Sequence, residues 1–338
     1  MGNKPSESTP RGPSEQRARA TWRSVLRFVA QWAILGAAAY YLARGLVEQW
    51  VELKAYPWTI SWPYLAASFV VTSLGYWMLG LGWHLGLAKL GRRAPWPWTM
   101  RAWWLGNLAK YVPGRVWIVF TRLRYAEDAG LAAIDAAGGF VLESLSLLST
   151  GFLLFVALLP AHSAVQRWHY LLSLLALPLI AMLHPRVFNA LAGLAMRVLR
   201  IAPRPFPLRL GDLALILGYF VASWAVFGAG VALLARSLVC RMSFVEGASV
   251  AGCFSFSFVA AMVSFVTPAG IAVREAIFSE LIRADLGSMA IVVALASRAW
   301  ISLVEVANVG LAVAIAARSK RPAAAAAAPG SEGEQENR

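Results

Sequence analysis

Residues 136–158 read AAGGFVLESLSLLSTGFLLFVAL, with a single charge, Glu143, among them. A helix rises 1.5 Å per residue, so about 20 such residues cross the roughly 30 Å hydrocarbon core of a bilayer. Lipid offers no partner to an unpaired backbone N–H or C=O, so a segment of this kind must be helical. The stretch therefore predicts a membrane-spanning helix, and its one glutamate is an anomaly that needs a partner.

Outward from this stretch, further apolar blocks lie near residues 28–46, 62–83, 168–184, 213–235, 247–267 and 288–316. The block at 168–184 is short and the one at 288–316 is long. Over 338 residues, 59% are hydrophobic and 14% charged, against about 25% charged in a soluble domain. The expected fold is an all-α integral membrane protein of about seven or eight transmembrane segments, with broken or re-entrant helices and a weak internal repeat. Many of the 15 tryptophans, including Trp50, Trp62, Trp83, Trp96, Trp103, Trp104 and Trp117, fall near block ends, which predicts an interfacial aromatic belt.

The net charge of +14 sits in the segments between apolar blocks. It is read as topology and attraction to anionic lipid, not as nucleic-acid binding. Cys240 and Cys253 form no disulfide framework, and the four histidines show no ligand spacing. No metal or cofactor is expected, and no catalytic or nucleotide-binding motif is found, so any transport would run downhill or be coupled to an ion. Residues 1–24 are expected to form a disordered basic cytoplasmic tail, 25–316 the membrane domain beginning with a retained signal anchor, and 317–338 a second disordered tail.

Six basic residues precede the first block, eight lie between Lys89 and Arg124, and five between Arg186 and Arg209. The positive-inside rule then places the N-terminus in the cytoplasm of a multi-pass protein of the cytoplasmic membrane. Seven crossings would put the C-terminus outside, yet Arg318, Lys320 and Arg321 follow the last block. One more crossing, or a segment that enters and returns, reconciles the two. Residues 269–287 are the best candidate.

Two stretches resemble each other. Asn107-Leu-Ala-Lys110-Tyr-Val-Pro113-Gly114-Arg115 is followed by Arg122 and then Glu143; Thr267-Pro268-Ala269-Gly270-Ile-Ala-Val-Arg274-Glu275 is followed by Arg298 and Glu305. Each has a Pro/Gly helix break, an arginine after it and a glutamate one block later. Paired interrupted segments of this kind point to a transporter-like site. Glu143, Arg298 and Glu305 lie inside apolar blocks, where an unpaired charge costs at least about 2.5–3.5 kcal/mol. Two roles are open to them: a buried ion pair that fixes packing, with Glu143 to Arg298 one pairing, or ligation of a charged headgroup. Gly75, Gly80, Gly82 and Gly86 are read as a helix-packing run.

On these stretches the chain resembles the membrane domain of the lysylphosphatidylglycerol synthetase/flippase proteins. It also resembles related stand-alone membrane proteins and the membrane part of some archaeal glycosyltransferases. The resemblance spans about residues 25–316 and rests on Pro113-Gly114-Arg115, the basic stretch to Arg124, and Pro268-Ala-Gly270-Ile-Ala-Val-Arg274-Glu275-Ala276. The last is similar to the family's Pro-x-Gly-x-Gly-x-Arg-Glu-Ala pattern, with Ala272 where the second glycine is usual. In the bifunctional members this domain moves aminoacylated phosphatidylglycerol between leaflets. The resemblance implies the translocating half without the synthase.

The expectation is a non-enzymatic, flippase-like protein for a phospholipid or lipid-linked headgroup. Arg115, Arg122, Arg274 and Arg298 would bind the phosphate, and Glu143, Glu275 and Glu305 would hold those arginines or a cationic headgroup. The alternative is a membrane scaffold for a separately encoded glycosyl- or aminoacyl-transferase; homo-oligomerisation is also open. Reporter fusions or cysteine labels at residues 10 and 325 check the topology. Both are expected on the cytoplasmic side, and an externally accessible label at 325 would leave seven simple crossings.

Overall fold

The computed structural model describes residues 40–57, 59–111, 116–158, 174, 177, 178, 180–198, 205–239, 241–263, 270 and 272–319. Residues 40–48 are helical. They are followed by α1 (Trp50–Ala55), α2 (Trp62–Lys89), α3 (Trp96–Leu108), a 3₁₀ turn (Ala109–Tyr111), α4 (Val116–Asp128) and α5 (Ala133–Leu158). Then come α6 (Pro185–Val198), α7 (Leu210–Leu238), α8 (Phe244–Val263), α9 (Val273–Leu281), α10 (Arg283–Leu286) and α11 (Met289–Ala317). No strand occurs among the described residues. The protein is an all-α, multi-pass membrane protein.

Five helices, α2, α5, α7, α8 and α11, are long and apolar enough to cross a membrane. They coincide with five of the seven apolar blocks of the sequence. The expected spans at 28–46 and 168–184, like both terminal tails, lie largely outside the described residues. Residues 269–287 do not form one crossing helix: α9 has nine residues and α10 four, far short of about 20. Positive φ angles bound the stretch on both sides, +64° at Gly270 and +67° at Ala272 before α9 and +54° at Gly287 after α10, all outside the right-handed helical region.

One correction concerns the basic segment between α2 and α5. Sequence reasoning took it as a loop whose charges report topology. Instead α3 and α4, of 13 residues each, pack on one another and against α5 and α11. Trp103 and Trp104 are buried in this hairpin and Trp83 in α2, so these three do not belong to an interfacial belt. Trp50, Trp62, Trp96 and Trp117 are exposed, as a belt requires. Arg122 is 3% exposed and is no loop charge.

Close helix packing frames the bundle. A Cβ on Gly75 of α2 would come within 2.6 Å of Phe227 Cα, and one on Gly230 of α7 within 2.7 Å of Thr72 N. The two backbones therefore touch reciprocally, and Ser68 Oγ donates across the contact to Gly230 O at 2.7 Å. Lipid tails are as apolar as leucine, so close backbone approach and interhelical hydrogen bonds hold such pairs together. Gly80 admits Met100 and Trp103, and Gly82 admits Phe220, which explains the glycine run of α2. Around it Tyr76 stacks on Trp104 with centroids 5.3 Å apart and meets Phe227 edge-on at 4.9 Å.

Gly75→Ala drives a methyl into the α7 backbone and is expected to destabilise by about 1–3 kcal/mol, the usual range for overpacking. Gly218→Ala on α7, where nothing lies within 4 Å, serves as the control and should be neutral or stabilising. Thermal unfolding of the detergent-solubilised chain, followed by fluorescence-detected gel filtration, measures both.

Candidate functional site

Three buried carboxylates organise the interior. Glu143, nearly three turns into α5, accepts a hydrogen bond from Trp103 Nε1 at 2.6 Å and pairs with the Arg122 guanidinium. Arg122 reaches it from α4 because Gly106 on α3 leaves room: a Cβ there would sit 2.9 Å from Arg122 Cβ. The guanidinium carbon lies 5.2 Å from the Trp83 ring centre, 5.7 Å from Trp103 and 5.0 Å from Phe140. An aromatic cage of this kind partly replaces the lost hydration of a cation.

Glu305, in the middle of α11, holds the 3₁₀ turn. Lys110 pairs with it, and the Tyr76 hydroxyl donates to it. The Tyr111 hydroxyl donates to its Oε2 at 2.6 Å and lies 3.1 Å from Ser302 Oγ. Arg298 sits over the Tyr111 ring at 5.7 Å. Arg298, Ser302 and Glu305 share one helical face, as their spacing requires, and Tyr111 touches all three.

Glu275 opens α9. Its Oε2 accepts the Ala272 backbone N–H at 2.8 Å, satisfying one orphan donor of the helix start. Its Oε1 accepts Arg274 Nε at 3.1 Å and lies 3.8 Å from Arg298 Nη1. Phe278 of α9 meets Phe254 of α8 edge-on at 5.5 Å, and Arg274 lies over the Phe254 ring at 5.5 Å. This aromatic contact fixes the short helix and hence the arginine. Ala272 is buried, and its positive φ of +67° is one that non-glycine residues seldom adopt.

Arg122, Arg274, Arg298, Glu143 and Lys110 line one cavity of about 340 Å³ within the bundle. Much of its remaining wall is apolar, including Leu79, Ile118, Val119, Leu147 and Phe258. Two buried nitrogens in this wall lack a well-directed hydrogen bond, Arg122 Nε and Arg274 Nη2, the latter ion-paired with Glu275 Oε1 at 3.0 Å, although a buried polar group ordinarily has one. The sequence-predicted residues Arg122, Glu143, Arg274, Glu275, Arg298 and Glu305 thus converge, with Glu275 and Glu305 directly behind the cations that line the cavity. Glu143 pairs with Arg122 and not with Arg298, because α4 folds back onto α5. Pro113, Gly114, Arg115 and Pro268 lie outside the described residues. Sequence reasoning missed Lys110, Tyr76, Tyr111 and Trp103 as site residues. Lys110 sits within the first motif but was counted as a loop charge, and only burial of the hairpin reveals it.

Neither a protein-family model nor a curated protein sequence matches the chain. The resemblance drawn from sequence therefore stands on its two motif stretches.

Glu143→Gln leaves Arg122 charged and buried, and removing one partner of such a pair is expected to destabilise by about 3–5 kcal/mol. The double change Arg122→Gln with Glu143→Gln should recover most of that loss. Unfolding of the two variants side by side measures it, and additive losses would show that the groups do not act as a pair.

Proposed function

We propose that this chain binds the charged headgroup of a membrane lipid in its interior cavity and carries the lipid between the leaflets of the cytoplasmic membrane. The observation that carries this reading is a cavity within the bundle with apolar surface and four cationic side chains, two of which hold buried nitrogens without a well-directed hydrogen bond. Ionisable residues within a membrane mark ligand and ion pathways. The planar guanidinium fork suits the oxygens of a phosphate, and Arg274 and Arg298 offer two forks side by side. Glu143, Glu275 and Glu305 act as positioning groups that hold the cations in the wall.

The repeated order of parts supports the same reading. In each half a Pro/Gly stretch of the sequence precedes a short helix that carries a cavity arginine, Arg122 in α4 and Arg274 in α9. A spanning helix with a buried glutamate follows, Glu143 in α5 and Glu305 in α11. Paired broken helices around a central site are the arrangement of many transporters. With the apolar blocks at 28–46 and 168–184, this reading gives about seven or eight transmembrane segments, an N-terminus in the cytoplasm and one weak repeat. The resemblance to the lysylphosphatidylglycerol synthetase/flippase membrane domain points the same way.

Lipid movement per folded molecule, measured in proteoliposomes at equal reconstitution, tests the proposal. Arg298→Gln is expected to keep expression and melting temperature near those of the unaltered chain and to abolish lipid movement. Arg274→Lys should reduce it at least about tenfold, because an ammonium cannot reproduce the bidentate fork. Unchanged rates in both variants would make these arginines structural and sink the reading.

A further inference from the structure

We propose that Lys110 and Glu305 form a proton-coupling site: an anionic headgroup entering the cavity draws Lys110 off Glu305, and Glu305 takes up a proton in its place. Lipid and proton then bind together. The inference rests on the lipid-handling reading above and adds to it the ion that accompanies the lipid.

Lys110 stands between cavity and carboxylate. Its side chain lines the cavity, whereas Glu305, 2% exposed, lies behind it in the middle of α11. The ammonium pairs with Glu305 and lies 3.3 Å from the Tyr76 hydroxyl. It is a point charge on a flexible stem, carried by a 3₁₀ turn, and it changes partner more readily than a guanidinium fork. Arg274 and Arg298 are near enough to act on Lys110 electrostatically, so an anion that they hold attracts the ammonium.

The cavity arginines are placed differently. Arg122 is enclosed by the rings of Trp83, Trp103 and Phe140. Arg274 lies over Phe254 and against Glu275. Movement of Arg298 would leave Glu275 with Arg274 and the Ala272 N–H. Movement of Lys110 leaves Glu305 with the hydroxyls of Tyr76 and Tyr111 and, among the described residues, no paired cation. A buried carboxylate that loses its cation neutralises by binding a proton. The proton comes from water and ends on Glu305 as a neutral carboxylic acid.

The surroundings serve both forms, because a tyrosine hydroxyl donates or accepts. Tyr111 donates to the ionised Glu305 at 2.6 Å. Facing the protonated carboxyl, it accepts and turns its own O–H to Ser302 Oγ, 3.1 Å away. Ser302 gives its hydrogen to Arg298 O and is left as an acceptor. Other titratable groups on the helices around α11 are engaged elsewhere. His84 meets Thr99, Lys89 meets Asp212, and Arg101 meets Asp128. Arg236 bonds Met242 O, Arg283 pairs with Glu280, and Asp285 accepts from Ser249.

The full-length chain in phosphatidylcholine nanodiscs is titrated calorimetrically with a short-chain, water-soluble phosphatidylglycerol, in buffers of one pH and different ionisation heats. Its phosphodiester does not titrate near neutral pH, so any proton bound is the protein's. Uptake of about one proton per bound lipid is expected, and binding should weaken by up to about tenfold for each unit of rising pH. Glu305→Gln has no carboxylate to protonate, so uptake should fall to near zero and affinity should become flat in pH. If that variant does not fold, Lys110→Gln decides: Glu305 is then protonated before the lipid arrives, and uptake should again be near zero. Binding to the unaltered chain without proton uptake overturns the coupling and leaves lipid binding standing. Uptake that persists in the variants overturns the assignment to Glu305. Dimethyl phosphate binding as tightly as the lipid overturns the lipid assignment, and binding of neither probe removes the proposed function as well.

Discussion

A carboxylate in the middle of a membrane-spanning helix persists only if a cation is brought to it and the remaining lone pairs are met. Among the described residues there are two such groups, Glu143 in α5 and Glu305 in α11, and the cations paired with them, Arg122 and Lys110, do not come from another of the long helices. Arg122 arrives on α4 and Lys110 on the 3₁₀ turn, both parts of the α3–α4 hairpin. The hairpin is thereby tied to the second and the last of the five long helices at once. Much of the site follows from this constraint, because a hairpin held by two buried ion pairs must lie inside the bundle and not on its surface.

Rigid surroundings make those pairs specific. Charges in a compliant interior would find other partners or draw in water, whereas here the approach of each helix is set by backbone contact. Gly75 and Gly230 lock α2 to α7, and Gly106 lets α4 close on α3. The rings of Tyr76, Trp103, Trp104 and Phe227 fill the space between these helices with centroid separations of 4.9–6.0 Å. Tyr76 belongs to both systems, since its ring packs in this cluster and its hydroxyl donates to Glu305. Packing and charge compensation thus act on the same side chain.

The second half solves the same problem with less material. Alpha9 has nine residues, and it is anchored by Phe278 against Phe254 and by the Glu275 carboxylate on its own first turn. One carboxylate between two arginines is a less balanced arrangement than the one-to-one pairs at Glu143 and Glu305. Among the described residues the two halves share an order of parts but not a pattern of ion pairs.

The blocks of apolar residues determined by themselves that the chain is an all-α membrane protein, because lipid leaves backbone groups no other way to be satisfied. Five long helices match blocks read directly from sequence. The same logic singled out Glu143, Arg298 and Glu305, since a charge in an apolar block is conspicuous without coordinates. Arg122, Arg274 and Glu275 were legible from their places after Pro/Gly breaks. Lys110, Tyr76, Tyr111 and Trp103 were not, because a lysine and aromatic residues in a mixed segment read equally well as an interfacial loop. Which arginine answers which glutamate was also beyond the sequence. Pairing depends on which helices approach within a few ångströms, and that is fixed by contacts between residues far apart in the chain, such as Gly106 with Arg122 and Lys110 with Glu305. Local pattern records how much a residue costs to bury, and only the tertiary structure records what it is buried against.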